Sequence, residues 1–269
     1  MLKDITFGQF YDSNSVIHRV DARVKILLLI FLIVLIFVSQ NLVSLMFATL
    51  CVVALILLSK VPFKMYLKNM KAILPVLIFT AIINLFYGSE GTVLLSFWKF
   101  TITTAGLYKS FFMAQRIVLL IISSSVLTYT TTPNDLTDAI ESLLSPLKFV
   151  GLKNAVHTLA MMMTIALRFI PTLIEEAEKI MNAQKARGAD LENGKLIERV
   201  KALIPILIPL LVSSVRRAYE LAEAMECRCY NGGEGKTRMK QMKLSVLDLY
   251  SGLASIVVLV CIVVFNVIF

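Results

Sequence analysis

The sequence predicts an all-α membrane protein with five transmembrane helices and a long cytoplasmic helical region. The first observation is compositional: 58% of the 269 residues are hydrophobic, 17% are charged, and mean hydropathy is +0.80. Soluble domains run to roughly 45–50% apolar and 25% charged residues, so a polytopic membrane chain follows. The second is a set of five apolar segments, at about 24–38, 42–58, 72–87, 106–129 and 244–268, each long enough to cross a bilayer with some tilt. The third is that most acidic residues fall in 131–243, between the fourth and fifth segments.

The chain opens Met-Leu-Lys-Asp-Ile-Thr, without the basic, apolar and small-residue layout of a cleaved signal. The first span is therefore expected to act as its own insertion signal. Gln40-Asn41 forms a tight outer turn between the first two spans. Segment 60–71 holds four lysines and no acid, which places it in the cytoplasm and the N-terminus with it. The 88–105 segment, with Gly88, Glu90, Gly91 and Trp98, reads as an outer loop carrying an interfacial aromatic anchor. Residues 1–130 thus form a membrane part of four spans, 131–243 a cytoplasmic region, and 244–269 the fifth span.

Lys and Arg number 27 against 18 Asp and Glu, a net charge of +9. In a membrane chain that excess marks cytoplasmic loops and contact with anionic lipid. No basic stretch carries interleaved aromatics, which argues against nucleic acid as a partner. Cys51 and Cys261 sit in apolar runs and Cys227 and Cys229 in a polar one, which is no disulfide framework.

Within 131–243, Ala155–Ile170 and Val200–Val215 are apolar enough to suggest spans, but the first holds His157 and Arg168 and the second Pro205 and Pro209. A central Arg costs about 2.5–3.5 kcal/mol on insertion scales, so both are read as apolar starts of helices lying along or just under the membrane surface. Thr132-Pro133-Asn134-Asp135 opens a short amphipathic helix with Leu136, Ile140, Leu143 and Leu147 on one face, ending at Gly151. A second helix runs from about Asn154 to Arg187, kinked at Pro171, and a polar turn at 188–194 leads to a third. In that third helix Ile204, Ile208, Leu211, Val215, Ala218, Ala222, Met225 and Cys229 repeat four and three apart, which predicts an apolar seam packing on the second helix at the small residues.

Both long helices end in an arginine between small residues, Ala186-Arg187-Gly188 and Cys227-Arg228-Cys229, each followed by a polar turn. A cation at a helix C-terminus can merely complement the macrodipole and cap carbonyls. Two at matching ends, with neighbours too small to block approach, can instead plug surface grooves on another protein, where the guanidinium donates several hydrogen bonds.

Other motifs carry little. Gly232 to Thr237 ends in the Gly-Lys-Thr of a phosphate loop, but Tyr230 stands where that loop needs glycine and no strand precedes it. Glu175-Glu176 and Cys227-x-Cys229 lack the further ligands a metal site needs, so no metal is expected. Met161-Met162-Met163 reads as soft packing against a mobile partner.

Residues 15–25 (Ser-Val-Ile-His-Arg-Val-Asp-Ala-Arg-Val-Lys), Thr131-Thr132-Pro133, Pro146-Leu147-Lys148 and the two arginine motifs together resemble the transmembrane (T) component family of energy-coupling factor transporters. The likeness covers essentially the whole chain. It implies an L-shaped all-α protein: five transmembrane helices plus a cytoplasmic coupling domain of three helices, the two long ones crossing as an X. In that family both coupling helices end in Ala-Arg-Gly, and each arginine enters a groove on one of two ABC-type ATPase subunits. Ala186, Arg187 and Gly188 match fully, whereas Cys227 replaces Ala and Cys229 replaces Gly. A small thiol keeps the groove fit, but cysteine adopts positive φ less readily than glycine, which weakens the expected geometry of the second motif.

The resemblance further implies a multi-pass subunit of a bacterial cell membrane with no cofactor of its own, ATP and Mg being held by the partner ATPases. A separate substrate-binding membrane S component would carry the vitamin or other micronutrient. Two rival classes remain. A polytopic membrane enzyme would need clustered polar residues inside the bundle, for which Asn84, Arg116 and Ser123-Ser124-Ser125 are the candidates. A stand-alone permease would show internal repeats or broken spans, and neither is visible.

Overall fold

The structure is a computed structural model and describes residues 10–87, 93–97, 100–146, 153–189, 196–232 and 244–268. Helices α1 (Val16–Arg19), α2 (Ala22–Val38), α3 (Leu42–Ser59) and α4 (Phe63–Tyr87) come first. A β-hairpin follows, β1 (Val93–Phe97) and β2 (Phe100–Thr103), and then α5 (Thr104–Thr130), α6 (Pro133–Leu143), α7 (Lys153–Ala186), α8 (Leu196–Cys227) and α9 (Val246–Ile268). The architecture is all-α apart from that hairpin, whose strands pair antiparallel with Val93 opposite Thr103 and Phe97 opposite Phe100. The sequence reading made 88–105 a plain loop. The β-branched Val93, Thr101, Ile102 and Thr103 are the signal that it passed over. Trp98, Gly88, Glu90 and Gly91 lie outside the described residues.

The chain divides into two compact units, Gly8–Leu136 with Gln241–Phe269, and Thr137–Lys240. In the first, α5 is the central pillar, packed against α2, α3 and α4, while α9 packs on α2 and α3. Leu35, Ile36, Leu45, Val52, Leu119 and Ile262 are its inner residues, each almost fully buried. A second cluster gathers Val61, Tyr66, Val126 and Tyr129, the two tyrosine rings edge to face at 5.3 Å between centroids. Gly106 lets α5 approach α4, because a Cβ there would stand 2.8 Å from the Leu85 carbonyl oxygen.

Outside this core the helices are apolar: Leu50, Leu57 and Phe79 are 66%, 73% and 64% exposed. Such a surface needs lipid around it, which makes the chain a multi-pass membrane protein. Six described helices are long and apolar enough to cross a membrane: α3, α4, α5, α7, α8 and α9. Helix α2, at 17 residues, is a little shorter. Length and composition therefore admit α7 and α8 as spans as well, beyond the five segments expected.

Polar side chains at helix ends tie the first unit together. Asn266 of α9 closes the turn between α2 and α3: its Nδ2 donates to the Val38 carbonyl at 2.8 Å, and its Oδ1 accepts from Ser44 Oγ at 2.7 Å and from the Gln40 N–H at 3.3 Å. Arg116 of α5 donates to the Ser39 carbonyl at 2.5 Å, with its guanidinium 4.8 Å from the centroid of the Phe112 ring and 5.9 Å from that of Phe37. Those two faces offset the cost of a cation within a span.

Candidate functional site

The candidate site belongs to the second unit. Helix α7 continues through Pro171, and α8 through Pro205 and Pro209. Glu141 of α6 lies 3.5 Å from His157 Nδ1 of α7. Glu176 of α7 accepts from both Ser213 Oγ and Arg217 Nη2 of α8, short charge-assisted contacts that join the two long helices. Next to them Phe169 and Leu173 of α7 line an apolar cleft with Ala218, Leu221, Ala222 and Met225 of α8.

The seam on α8 differs from the expected one in its first half. Ile204, Ile208, Leu211 and Val215 are 47%, 59%, 66% and 47% exposed. The inward stripe runs instead through Ile206, Leu210, Ser214, Arg217, Leu221 and Met225. That part of α8 is apolar all round, so several series spaced four and three apart fit equally well. Glu176 decides between them, because its carboxylate needs Ser213 and Arg217 on the facing side. The small residues Ala218 and Ala222 do line the cleft, as their size suggests.

Both helix ends have the same backbone construction. After α7, the Gly188 N–H donates to the Lys185 carbonyl and the Ala189 N–H to the Gln184 carbonyl, each at 3.0 Å. After α8, the Cys229 N–H donates to the Glu226 carbonyl at 2.8 Å and the Tyr230 N–H to the Met225 carbonyl at 3.0 Å. Gly188 has φ +87° and Cys229 φ +54°. Each end is a complete Schellman motif, with Arg187 and Arg228 at equivalent positions. Contrary to the sequence expectation, Cys229 does not weaken the second motif's geometry, because the motif forms in full around it. It holds the left-handed conformation itself and carries the strain that glycine would avoid.

Ala186, Arg187, Gly188, Cys227, Arg228 and Cys229 are all exposed. The Gln184 and Lys185 carbonyls at one end and the Met225 and Glu226 carbonyls at the other accept from backbone N–H groups, so neither guanidinium takes part in these caps. Arg228 also lines a cleft with Arg168, Arg216 and Glu220, a predominantly cationic rim. The two ends thus carry a matched pair of exposed, fork-shaped donors.

Three of the polar residues that a membrane enzyme could use bond within their own helices. Asn84 Nδ2 donates to the Thr80 carbonyl, Ser123 Oγ to Leu119 and Ser125 Oγ to Ile121, all bonds within a helix. Among the described residues no cluster of three or more His, Cys, Asp or Glu could hold a metal. All four cysteines are free thiols. The Gly233 to Thr237 run, Leu147-Lys148, Gly151 and most of the 188–194 turn lie outside the described residues.

The fold defines a polytopic α-helical membrane protein. The family model CbiQ, described as a cobalt transport protein, matches residues 13–239. Similar proteins from several bacteria bear the name energy-coupling factor transporter transmembrane protein EcfT, two of them as follows. The Clostridium kluyveri protein is 50% identical over 263 residues, spanning 97% of this chain and 96% of the relative. The Bacillus subtilis protein is 39% identical over 265 residues, spanning 98% and 99%. The chain belongs to this family of energy-coupling factor transporter transmembrane components.

Three residues with clear structural roles were missed by sequence reasoning. Lys25 and Asp248 are buried and charged, and Asn266 bridges three backbone or hydroxyl groups. A charged or amide residue inside an apolar run was the available signal for each.

Proposed function

We propose that this chain is the non-catalytic coupling subunit of an energy-coupling factor ABC transporter. Arg187 and Arg228 each enter a groove on one of two cytoplasmic ATPases, which hold the ATP and Mg. Closure of the ATPases moves the two helix ends, the pair α7 and α8 repacks about Glu176 and Arg217, and its exposed apolar faces pass the motion to a membrane S component carrying a vitamin or other micronutrient. The chain itself holds no cofactor. Its N-terminus and residues 131–243 face the cytoplasm of a bacterial cell, as the lysines of 60–71 favour.

The observation that carries this reading is the equivalence of the two Schellman ends, which leaves both guanidiniums exposed and unneeded by their own helices. Affinity purification of the full chain in mild detergent, followed by mass spectrometry, tests it. Recovery of two ATPases and a small membrane protein is expected. Recovery with no ATPase would remove the proposal.

A further inference from the structure

The 15–25 segment has no part in the mechanism above, yet it contributes a buried cation held by three oxygen acceptors. Lys25, only 8% exposed, sends Nζ to the Thr130 carbonyl at 2.9 Å, with the His18 carbonyl at 3.4 Å and Thr131 Oγ1 at 3.5 Å. Thr130 is the last residue of α5, so the ammonium satisfies a carbonyl that the helix leaves free. Beside it, Asp248 in the first turn of α9 is 5% exposed. Its Oδ1 accepts the Asp21 N–H at 2.8 Å and its Oδ2 the Ser245 N–H at 2.6 Å. Asp21 caps α2 through the Arg23 N–H at 3.0 Å. Asp21, Asp135 and Asp248 all attract the Lys25 ammonium.

The placement of this network within the chain gives it meaning. The chain leaves the first unit after Leu136 and re-enters it at Gln241. Thr130, Thr131 and Asp135 stand just before the exit, and Ser245 and Asp248 just after the return. Both covalent connections are therefore tied to the start of α2, the outgoing one through Lys25 and Thr130 and the returning one through Asp248 and the Asp21 N–H. Lys25 and Asp248 are buried charges, so displacing the partners of either leaves a charge short of its hydrogen bonds.

We propose that Lys25 is a positioning residue for energy coupling: with Asp21 and Asp248 it clamps both junctions, so that motion of the 137–240 unit is delivered to α2, α5 and α9 instead of being absorbed where the chain crosses. This rests on the coupling reading above.

The test uses the complete complex of the chain with the ATPases and membrane protein that copurify with it, probed with ATP and vanadate by hydrogen exchange and by ATP hydrolysis. In the wild type, trapped nucleotide should change exchange both in 137–240 and at the ends of α2, α5 and α9. Lys25→Gln and Asp248→Asn should retain ATPase binding and hydrolysis, while the response in α2, α5 and α9 falls about tenfold, the middle of the usual range of coupling between sites. Lys25→Arg, which keeps the charge and its donors, should restore most of that response. Equal transmission in wild type, Lys25→Gln and Asp248→Asn would overturn the proposal. So would a loss of ATPase binding in parallel with transmission in all three variants, which would mark a fold residue only. A wild-type chain that captures no ATPase would instead remove the coupling reading, so the two failures are distinguishable.

Discussion

Glu176 on α7 and Arg217 on α8 are bound to each other, and each stands eleven residues before the arginine that ends its own helix, Arg187 or Arg228. At 1.5 Å per residue both arms are about 16 Å long. A polar pivot with two equal arms is a simple way to turn approach of two helix ends into a change of packing. The pair is only partly buried, so its net worth is modest, about 0.5–1 kcal/mol. A double-mutant cycle of Glu176→Gln and Arg217→Met, read from thermal midpoints in detergent, should return a coupling of that size. A vanishing coupling would show that the apolar cleft alone joins the helices.

Arg187 and Arg228 should matter for assembly far more than for folding. Their Schellman bonds are made by the backbone alone, so charge reversal at both positions only replaces a favourable dipole interaction of about 0.3–1 kcal/mol per end with an unfavourable one of similar size. The variant Arg187→Glu with Arg228→Glu should insert and express normally yet lose the ATPases on copurification. Lysine at both positions should recover part of the binding, since it keeps charge without the planar fork. Normal assembly and transport by the double Glu protein would reduce both arginines to ordinary surface cations.

The two C-caps predict opposite responses to conventional substitutions. Cys229→Gly relieves a side chain held at φ +54° and should stabilise the end of α8 by about 0.5–1 kcal/mol. Gly188→Ala forces a Cβ into φ +87° with open space around it, so it should cost about 1–2 kcal/mol through backbone strain alone. Protection of the Ala189 and Tyr230 amides from exchange is the local measurement. The same sign at both ends would show that the ends are not equivalent.

Gly106→Ala tests how closely α4 and α5 are held. The added methyl would meet the Leu85 carbonyl oxygen at 2.8 Å and Thr103 Oγ1 at 3.2 Å. Backbone cannot yield as a side-chain tip does, so a loss of about 1–3 kcal/mol is expected, read as a lowered thermal midpoint of the purified chain. An unchanged midpoint would place the helices further apart.

The helices that span or end visibly were legible because length and composition determine them: the apolar runs, Pro133 at the start of α6, and Gly188 beyond α7. The two arginine motifs were legible by symmetry. What sequence could not show is which face of an apolar helix turns inward, since nothing in Ile204, Ile208, Leu211 and Val215 distinguishes them from Ile206 and Leu210. That choice is made by Glu176, far away in the chain. The left-handed Cys229 was likewise hidden, because the residue type argues against a conformation that the surrounding hydrogen bonds impose. Lys25 and Asp248 stand inside apolar runs, and their partners become visible only where the fold brings α2, α5 and α9 to one place.

The amide of Asn266 reaches the turn between α2 and α3 across more than two hundred residues of chain, with 222 positions separating it from Ser44 and 228 from Val38. During synthesis α2 and α3 enter the bilayer long before the ribosome makes α9. Until then the Val38 carbonyl and the Ser44 hydroxyl lack the partner that completes their turn. The first hairpin to be inserted is thus the last to be finished, its turn closed only when Asn266 arrives.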